Sequence, residues 1–208
     1  MEIIDREIDQ YIEGLYTETD PVLQEMERVG RARNFPIVGP QVGRVLFLLA
    51  RLVGAKRIFE MGSGFGYSAY WFARALPSTG KVYQTETSSE NSRLSQDFFI
   101  RGGLRKKSEF LVGDGVKLID QVKGKFDIVF IDIDKENYPA AYRQAKRYLK
   151  RGGLLLADNV LWFGKVLEES DEPETLGIKE FTRLLFSDPD YFATILPIRD
   201  GVGVGYRR

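Results

Sequence analysis

The sequence contains no cysteine and no histidine among its 208 residues. Without cysteine, the chain can form no disulfide, no thiolate zinc site and no thiol nucleophile. Without histidine, it lacks the commonest general base, a Ser-His-Asp triad and imidazole metal ligands. Any acid–base chemistry must therefore fall to lysine, aspartate, glutamate or tyrosine.

Neither sign of charge is in excess, because 30 Lys and Arg residues balance 30 Asp and Glu residues. This balance favours neither a nucleic-acid partner nor an anionic membrane surface. The longest apolar run, Val45 to Ala50, is far shorter than the roughly 20 residues of a transmembrane helix. The start, MEIIDREID, lacks the basic and apolar regions of a secretory signal. We therefore expect a cytoplasmic protein that does not bind membranes.

The chain is long enough for one substantial core, and no linker, repeat or low-complexity tract divides it. We therefore predict a single domain over residues 1–208. Apolar residues at helical spacing in the first 15 positions predict an amphipathic helix. Two further helices are predicted over residues 21–31 and 40–52, each opened by a proline. Residues 1–52 are thus predicted to form an N-terminal helical cap.

From Arg57 onward, apolar runs rich in β-branched residues alternate with helical patterns. This alternation is typical of a doubly wound α/β fold with a mostly parallel sheet. The predicted strands cover residues 57–61, 81–85, 109–112, 127–131, 154–157, 192–198 and 202–206. The predicted helices between them cover residues 67–76, 89–102, 116–122, 139–150 and 176–186. The Asp200-Gly201 pair is a hairpin signal, so we expect the sheet to end in an antiparallel pair.

Polar side chains follow two of the predicted strands directly. FDIVFIDIDKENY places Asp132 and Lys135 after one buried strand, and GGLLLADN ends in Asp158 and Asn159. If these strands are neighbours, Asp132, Asp158 and Asn159 lie side by side, because paired strands are roughly 4.8 Å apart. The three oxygen ligands of these residues suit a hard divalent cation. The alternatives are that the aspartates only cap helices and that the lysine lies on the surface.

A glycine-rich turn, EMGSGFGYS, follows the first strand and spans residues 60–68. Glycines at such a turn let the backbone approach a ligand closely. The E-x-G-x-G-x-G spacing differs from the dinucleotide fingerprint G-x-G-x-x-G. We expect the acid, Glu60, to lie at the mouth of the turn, where it would repel a pyrophosphate and suit a cationic ligand. The alternative is a turn that only packs the helix on the strand.

Two further acids follow the next predicted strands. Glu86 ends the second strand, where a carboxylate can bind the two hydroxyls of a ribose. Asp114, at the end of the third strand, is a weaker candidate for the adenine region, and an N-cap role is equally consistent with its position. A solvated strand-end glutamate is the alternative for Glu86.

These residues together resemble the class I S-adenosylmethionine-dependent O-methyltransferases, in particular the metal-dependent catechol and caffeoyl-CoA O-methyltransferases. The resemblance covers about residues 35–208. It rests on IVGP at 37–40, GAKR at 54–57, EMGSGFGYSA, FIDIDKENY, LLADNVLW and the closing DGVGVGYRR. It implies a seven-stranded sheet in the order 3-2-1-4-5-7-6, with an antiparallel C-terminal hairpin.

The resemblance also implies roles for single residues. Asp132, Asp158 and Asn159 match the ligands of a divalent cation, most simply Mg²⁺, and Lys135 matches the proposed general base. The implied S-adenosylmethionine site comprises Val38, Glu60, Gly62, Ser63, Gly64, Tyr67, Ser68, Glu86, Asp114 and Asp132.

The implied reaction moves a methyl group from S-adenosylmethionine to a hydroxyl of a small catechol-like aromatic, in a homodimeric enzyme. Residues 1–34 match no family pattern, and the insertion of plant coenzyme A-ester enzymes after Trp162 is absent, which favours a free phenol. Trp162 and Phe163 either wall the acceptor or only cover the core. The alternative functions are a nicotinamide-dependent dehydrogenase and a non-catalytic cofactor-binding protein.

Overall fold

A seven-stranded sheet forms the centre of the computed structural model, which describes residues 3–208. Its strands are β1 (Arg57–Met61), β2 (Lys81–Glu86), β3 (Ser108–Val112), β4 (Phe126–Ile131), β5 (Leu149–Ala157), β6 (Tyr191–Leu196) and β7 (Val202–Arg207). The strand order is β3-β2-β1-β4-β5-β7-β6. The first five strands pair in parallel, whereas β7 is antiparallel to both β5 and β6. The predicted fold class and strand order are confirmed.

Eight α-helices surround the sheet in the described part of the chain. They are α1 (Arg6–Gly14), α2 (Pro21–Ala32), α3 (Gly39–Leu52), α4 (Tyr67–Ala75), α5 (Ser89–Arg101), α6 (Gly115–Leu118), α7 (Tyr138–Tyr148) and α8 (Pro173–Ser187). The first three are the helices predicted for the N-terminal segment. The single domain and its helical cap remain predictions, and residues 1 and 2 lie outside the described chain.

The two faces of the sheet carry separate cores because strand side chains alternate between faces. In β4, Ile128 and Phe130 pack in the core beside α3, α4 and α5, whereas Val129 and Ile131 pack in the core beside α7 and α8. All four of these side chains are fully buried. This burial explains why β4 is a continuous apolar run rather than an alternating one.

Three predicted boundaries are wrong. Strand β5 begins at Leu149, so Lys150 lies in a strand rather than at a helix end; its ammonium pairs with the Asp127 carboxylate at 2.6 Å. The helix predicted over residues 116–122 is a single turn followed by a 3-10 turn. Strand β6 ends at Leu196 because Pro197 has no N–H to donate to the sheet.

Among residues 3–208, every helix is too short or too polar to cross a bilayer.

Candidate active site

A cleft of about 1980 Å³ lies at the carboxyl ends of the parallel strands. It is centred where the strand order reverses between β1 and β4, which is the usual ligand position in open α/β sheets. Its volume exceeds the 300–1,000 Å³ typical of single-ligand pockets. The predicted site residues that line it are Val38, Gly62, Ser63, Gly64, Tyr67, Ser68, Glu86, Asp114, Asp132, Lys135, Asp158 and Asn159.

The glycine-rich turn after β1 forms one wall of this cleft. Gly62 has a φ of 83°, and an added Cβ there would lie 2.0 Å from the carbonyl oxygen of Asp132. Gly64 has a φ of 50°, and an added Cβ would lie 2.8 Å from the Phe35 ring. The glycines are thus required both by backbone conformation and by close packing between neighbouring segments. The turn therefore packs closely against its neighbours and also lines the cleft, and its binding of a ligand remains a prediction.

Replacing Gly62 with alanine is expected to lower the free energy of unfolding by about 2–5 kcal/mol, because strain at positive φ adds to a backbone clash. The matched control is Gly103→Ala, where φ is 68° but nothing lies within 4 Å of the added Cβ. That control is expected to cost only about 1–2 kcal/mol. Urea denaturation measures both, and equal losses would contradict the close approach to Asp132.

Glu60 lies beneath the turn rather than at its mouth, so its predicted position is wrong. The side chain is 0% exposed and does not line the cleft. One carboxylate oxygen accepts a hydrogen bond from the Ser63 hydroxyl at 2.5 Å, and the other has no partner among the described residues. Burial raises the pKa of Glu60 to about 7, although the hydrogen bond from Ser63 opposes the shift. Glu60 therefore supports the turn from behind.

The raised pKa of Glu60 predicts a pH-dependent stability that Glu60→Gln should remove. A carboxyl with a raised pKa in the folded state stabilises the fold below about pH 4.5, and this contribution is lost as the pH rises through about 7. The stability of the wild type relative to the variant should fall by about 3 kcal/mol between pH 4 and pH 8. Urea denaturation of the ligand-free protein tests this, and a constant difference would contradict it.

Two acids reach the cleft from the neighbouring strands β2 and β3. A carboxylate oxygen of Glu86 accepts from the backbone N–H of Ser88 at 2.7 Å, so the side chain is held at the strand end. Asp114 caps helix α6, because its carboxylate accepts from the backbone N–H of Val116 at 2.9 Å. Asp114 is therefore a helix N-cap that also lines the cleft, and its role at the adenine remains a prediction.

The adjacent strands β4 and β5 bring together the three residues of the predicted metal set. Ile131 pairs with Ala157 in the sheet, so Asp132 and Asp158 follow at equivalent positions. Asp158 is 5% exposed, and its burial together with the charge of Asp132 raises the pKa of Asp158. Asn159 follows in a left-handed conformation with a φ of 57°.

This donor set fits a hard divalent cation. Within residues 3–208 no three His, Cys, Asp or Glu side chains converge to hold a metal, and the set here is two carboxylates and one amide. All three side chains offer oxygen ligands, which Mg²⁺ and Ca²⁺ prefer. Burial and the charge of Asp132 disfavour the ionised form of Asp158. A divalent cation bound by both carboxylates would offset these two effects.

Lys135 lies beside this set and is buried rather than on the surface. Its side chain is largely enclosed, and the residue is 8% exposed. The ammonium group donates to a carboxylate oxygen of Asp132 at 3.0 Å and to the hydroxyl of Tyr138 at 3.0 Å. Tyr138 is fully buried and donates its own proton to the backbone carbonyl of Asp158 at 2.8 Å. Lys135 is therefore held at a defined position in the cleft.

Tyr138 was not predicted to be a site residue. It lies three residues after Lys135 in FIDIDKENY, but an aromatic residue at a helix start gives no signal for a role in the site. Asp200 was treated only as part of a hairpin turn, yet it also lines the cleft and is 7% exposed. Asp200 was missed because its partner Phe163 is 37 residues away in the sequence.

The strand order, the glycine-rich turn and the acid at the end of β2 define a methyltransferase-type α/β protein. More narrowly, the chain belongs to the O-methyltransferase family, whose model matches residues 14–208. The resemblance identified from the sequence motifs is thereby confirmed, and the dehydrogenase and non-catalytic alternatives are not favoured.

Named relatives give the comparison more detail. The chain is 36% identical to a catechol O-methyltransferase from Niastella koreensis, over 91% of this chain and 89% of the relative. It is 32% identical to caffeoyl-CoA O-methyltransferase 1 from Eucalyptus globulus, over 81% and 74%. The structure of an O-methyltransferase from Bacillus cereus in complex with SAH superimposes with a TM-score of 0.89 at 31% identity, covering 97% of each chain.

Proposed function

We propose that this protein transfers a methyl group from S-adenosylmethionine to a hydroxyl of a small catechol-like aromatic, with the help of a divalent cation. The observation that carries the proposal is that Asp132, Asp158, Asn159 and Lys135 line the same cleft as the glycine-rich turn. A methyl donor and a hydroxyl acceptor must meet in one enclosed space, because the reaction is an in-line displacement. The catechol O-methyltransferase and SAH-bound relatives support the same assignment.

The donor half of the proposed site is the wall formed by β1, β2 and the segment before α3. The turn at Gly62–Gly64 lets the backbone approach the donor, while Glu86 is positioned to accept hydrogen bonds from ribose hydroxyls. Val38, Tyr67 and Ser68 complete this wall. The buried Glu60 carboxylate holds the turn through Ser63 rather than binding the donor directly.

The acceptor half of the proposed site is the rim formed by β4 and β5. Asp132, Asp158 and Asn159 would hold the cation. When bound, such a cation lowers the pKa of a coordinated hydroxyl and fixes its orientation. Lys135 is the proposed general base and would act as the neutral amine: its nitrogen accepts the hydroxyl proton, the C–O bond forms, and the electrons of the broken C–S bond return to sulfur.

A free catechol is the proposed acceptor rather than a coenzyme A ester. The chain is 36% identical to the catechol enzyme and 32% identical to the caffeoyl-CoA enzyme. The insertion predicted to be absent after Trp162 is the second argument for a free phenol. A cytoplasmic location and a homodimer remain predictions.

The direct test is to measure methylation of catechol by S-adenosylmethionine, with added Mg²⁺ and with EDTA. We expect turnover with Mg²⁺ and its loss in EDTA, restored by excess Mg²⁺. Full activity in EDTA would remove the cation from the proposal, and no methylation of any catechol tested would overturn the acceptor class. Calorimetry with S-adenosylhomocysteine and NAD is the control, since tighter NAD binding would favour a dehydrogenase.

A further inference from the structure

The turn that follows β5 is held in a strained backbone conformation. Trp162 has a φ of 47° and Phe163 a φ of 54°, and Gly164 follows at 82°. Bulky side chains are rare in this left-handed region, because Cβ lies too close to the backbone. Such a conformation persists only where surrounding contacts hold it, and it is common at functional sites.

The contacts that hold this turn come from the segment that joins β6 to β7. Asp200 in that segment lies 37 residues after Phe163 in the chain. A carboxylate oxygen of Asp200 accepts from the backbone N–H of Phe163 at 2.5 Å. The backbone carbonyl of Asp200 accepts from the N–H of Leu161 at 2.9 Å, and that of Gly201 accepts from Val160 at 3.1 Å. Three hydrogen bonds therefore clamp the turn to the hairpin.

The Asp200 side chain is not needed to close the hairpin itself. The hairpin turn is closed by the backbone N–H of Gly201, which donates to the carbonyl of Ile198 at 2.9 Å. The carboxylate points instead to Phe163, and it is buried at the edge of the cleft. Its second oxygen has no hydrogen-bond partner among the described residues.

The clamped turn contributes two aromatic residues to the lining of the cleft that contains Lys135 and Asp158. The Trp162 and Phe163 rings lie 5.7 Å apart between centroids, and both residues line the cleft. Flat apolar surfaces of this kind pack against an aromatic ligand. Their position depends on the backbone at Phe163, which Asp200 holds.

We infer that Asp200 is a positioning residue for the aromatic acceptor: its carboxylate holds the Trp162–Phe163 turn and thereby sets the wall against which the acceptor packs. This inference rests on the proposed function for the identity of the acceptor. It assigns to Asp200 a hydrogen-bonding role that depends on an acceptor oxygen and not on negative charge.

The test compares Asp200→Ala with Asp200→Asn. Asparagine keeps an oxygen that can accept from Phe163, whereas alanine does not. We expect Asp200→Ala to raise the KM for catechol about tenfold, with unchanged affinity for S-adenosylhomocysteine by calorimetry. Asp200→Asn should restore the KM to near the wild-type value. Asp190→Ala is the matched control, because Asp190 precedes the same hairpin at the opposite edge of the sheet.

Acrylamide quenching of tryptophan fluorescence gives a readout that does not depend on activity. The chain has two tryptophans, and Trp71 is buried at 3% exposure, so quenching reports mainly on Trp162. Quenching should increase in Asp200→Ala and stay at the wild-type level in Asp200→Asn. Unchanged quenching and KM in Asp200→Ala, or an asparagine variant that behaves like alanine, would overturn the inference. A wild type inactive on catechols would instead overturn the proposed function, while the quenching comparison would still decide the role of Asp200.

Discussion

Replacing Asp158 with asparagine should reduce methylation of catechol by about 10²–10³-fold. Stabilising charge with a bound cation is worth several kcal/mol, and each 1.36 kcal/mol is tenfold in rate. Asp158 is one of only two carboxylates in the proposed metal set, so its loss halves the negative charge that would hold the cation. Steady-state kinetics at increasing Mg²⁺ concentration measures the effect. Activity that stays within about threefold of wild type would contradict the metal role.

The same substitution should stabilise the metal-free protein. Burial and the charge of Asp132 raise the pKa of Asp158, so an ionised carboxylate at this position costs stability at neutral and higher pH. This cost disappears below the unfolded pKa of about 4. In EDTA at pH 8 we expect the asparagine variant to melt about 2–4 °C higher, which corresponds to about 1 kcal/mol for a chain of this size.

A metal titration distinguishes the two effects at Asp158. Added Mg²⁺ should raise the melting temperature of the wild type more than that of the variant, because binding only to the folded state stabilises it. Asp97→Asn is the matched control, since Asp97 is exposed on helix α5 and should change neither activity nor melting temperature. A lower melting temperature for Asp158→Asn than for the wild type in EDTA would contradict the expectation that the ionised Asp158 carboxylate destabilises the metal-free fold.

Replacing Lys135 with methionine should reduce kcat by about 10²–10⁴-fold, the usual contribution of a positioned general base. Methionine preserves much of the buried length of the side chain but removes the nitrogen that contacts Asp132 and Tyr138. The affinity for S-adenosylhomocysteine should stay close to the wild-type value, because Lys135 lies on the acceptor side of the cleft. Rapid-quench measurement of a single turnover tests the chemical step directly.

The control for this variant is Lys106→Met. Lys106 is exposed and lies just before β3, at the opposite edge of the sheet from the cleft. It should leave kcat unchanged. A Lys135→Met variant that retains more than about a tenth of the wild-type kcat would be inconsistent with a general base at this position.

The local patterns of the sequence determined most of the architecture. The apolar run Ile128–Ile131 identified a strand buried on both faces, and the polar residues after it identified the functional edge of the sheet. Proline at position 21 marked the start of a helix correctly. These features depend on residues close together in the chain, so periodicity and end signals are enough to identify them.

Tertiary structure alone decided which side chains meet. The register between Ile131 and Ala157 places Asp132 beside Asp158, and no spacing in the sequence specifies that pairing. Glu60 lies near the carboxyl end of β1 and was therefore expected at the mouth of the cleft. The turn packs above it, however, and leaves its carboxylate buried. The clamp from Asp200 to Phe163 joins segments 37 residues apart. Strand order and packing create these contacts. Local sequence patterns do not reveal them, because the residues involved are far apart in the chain.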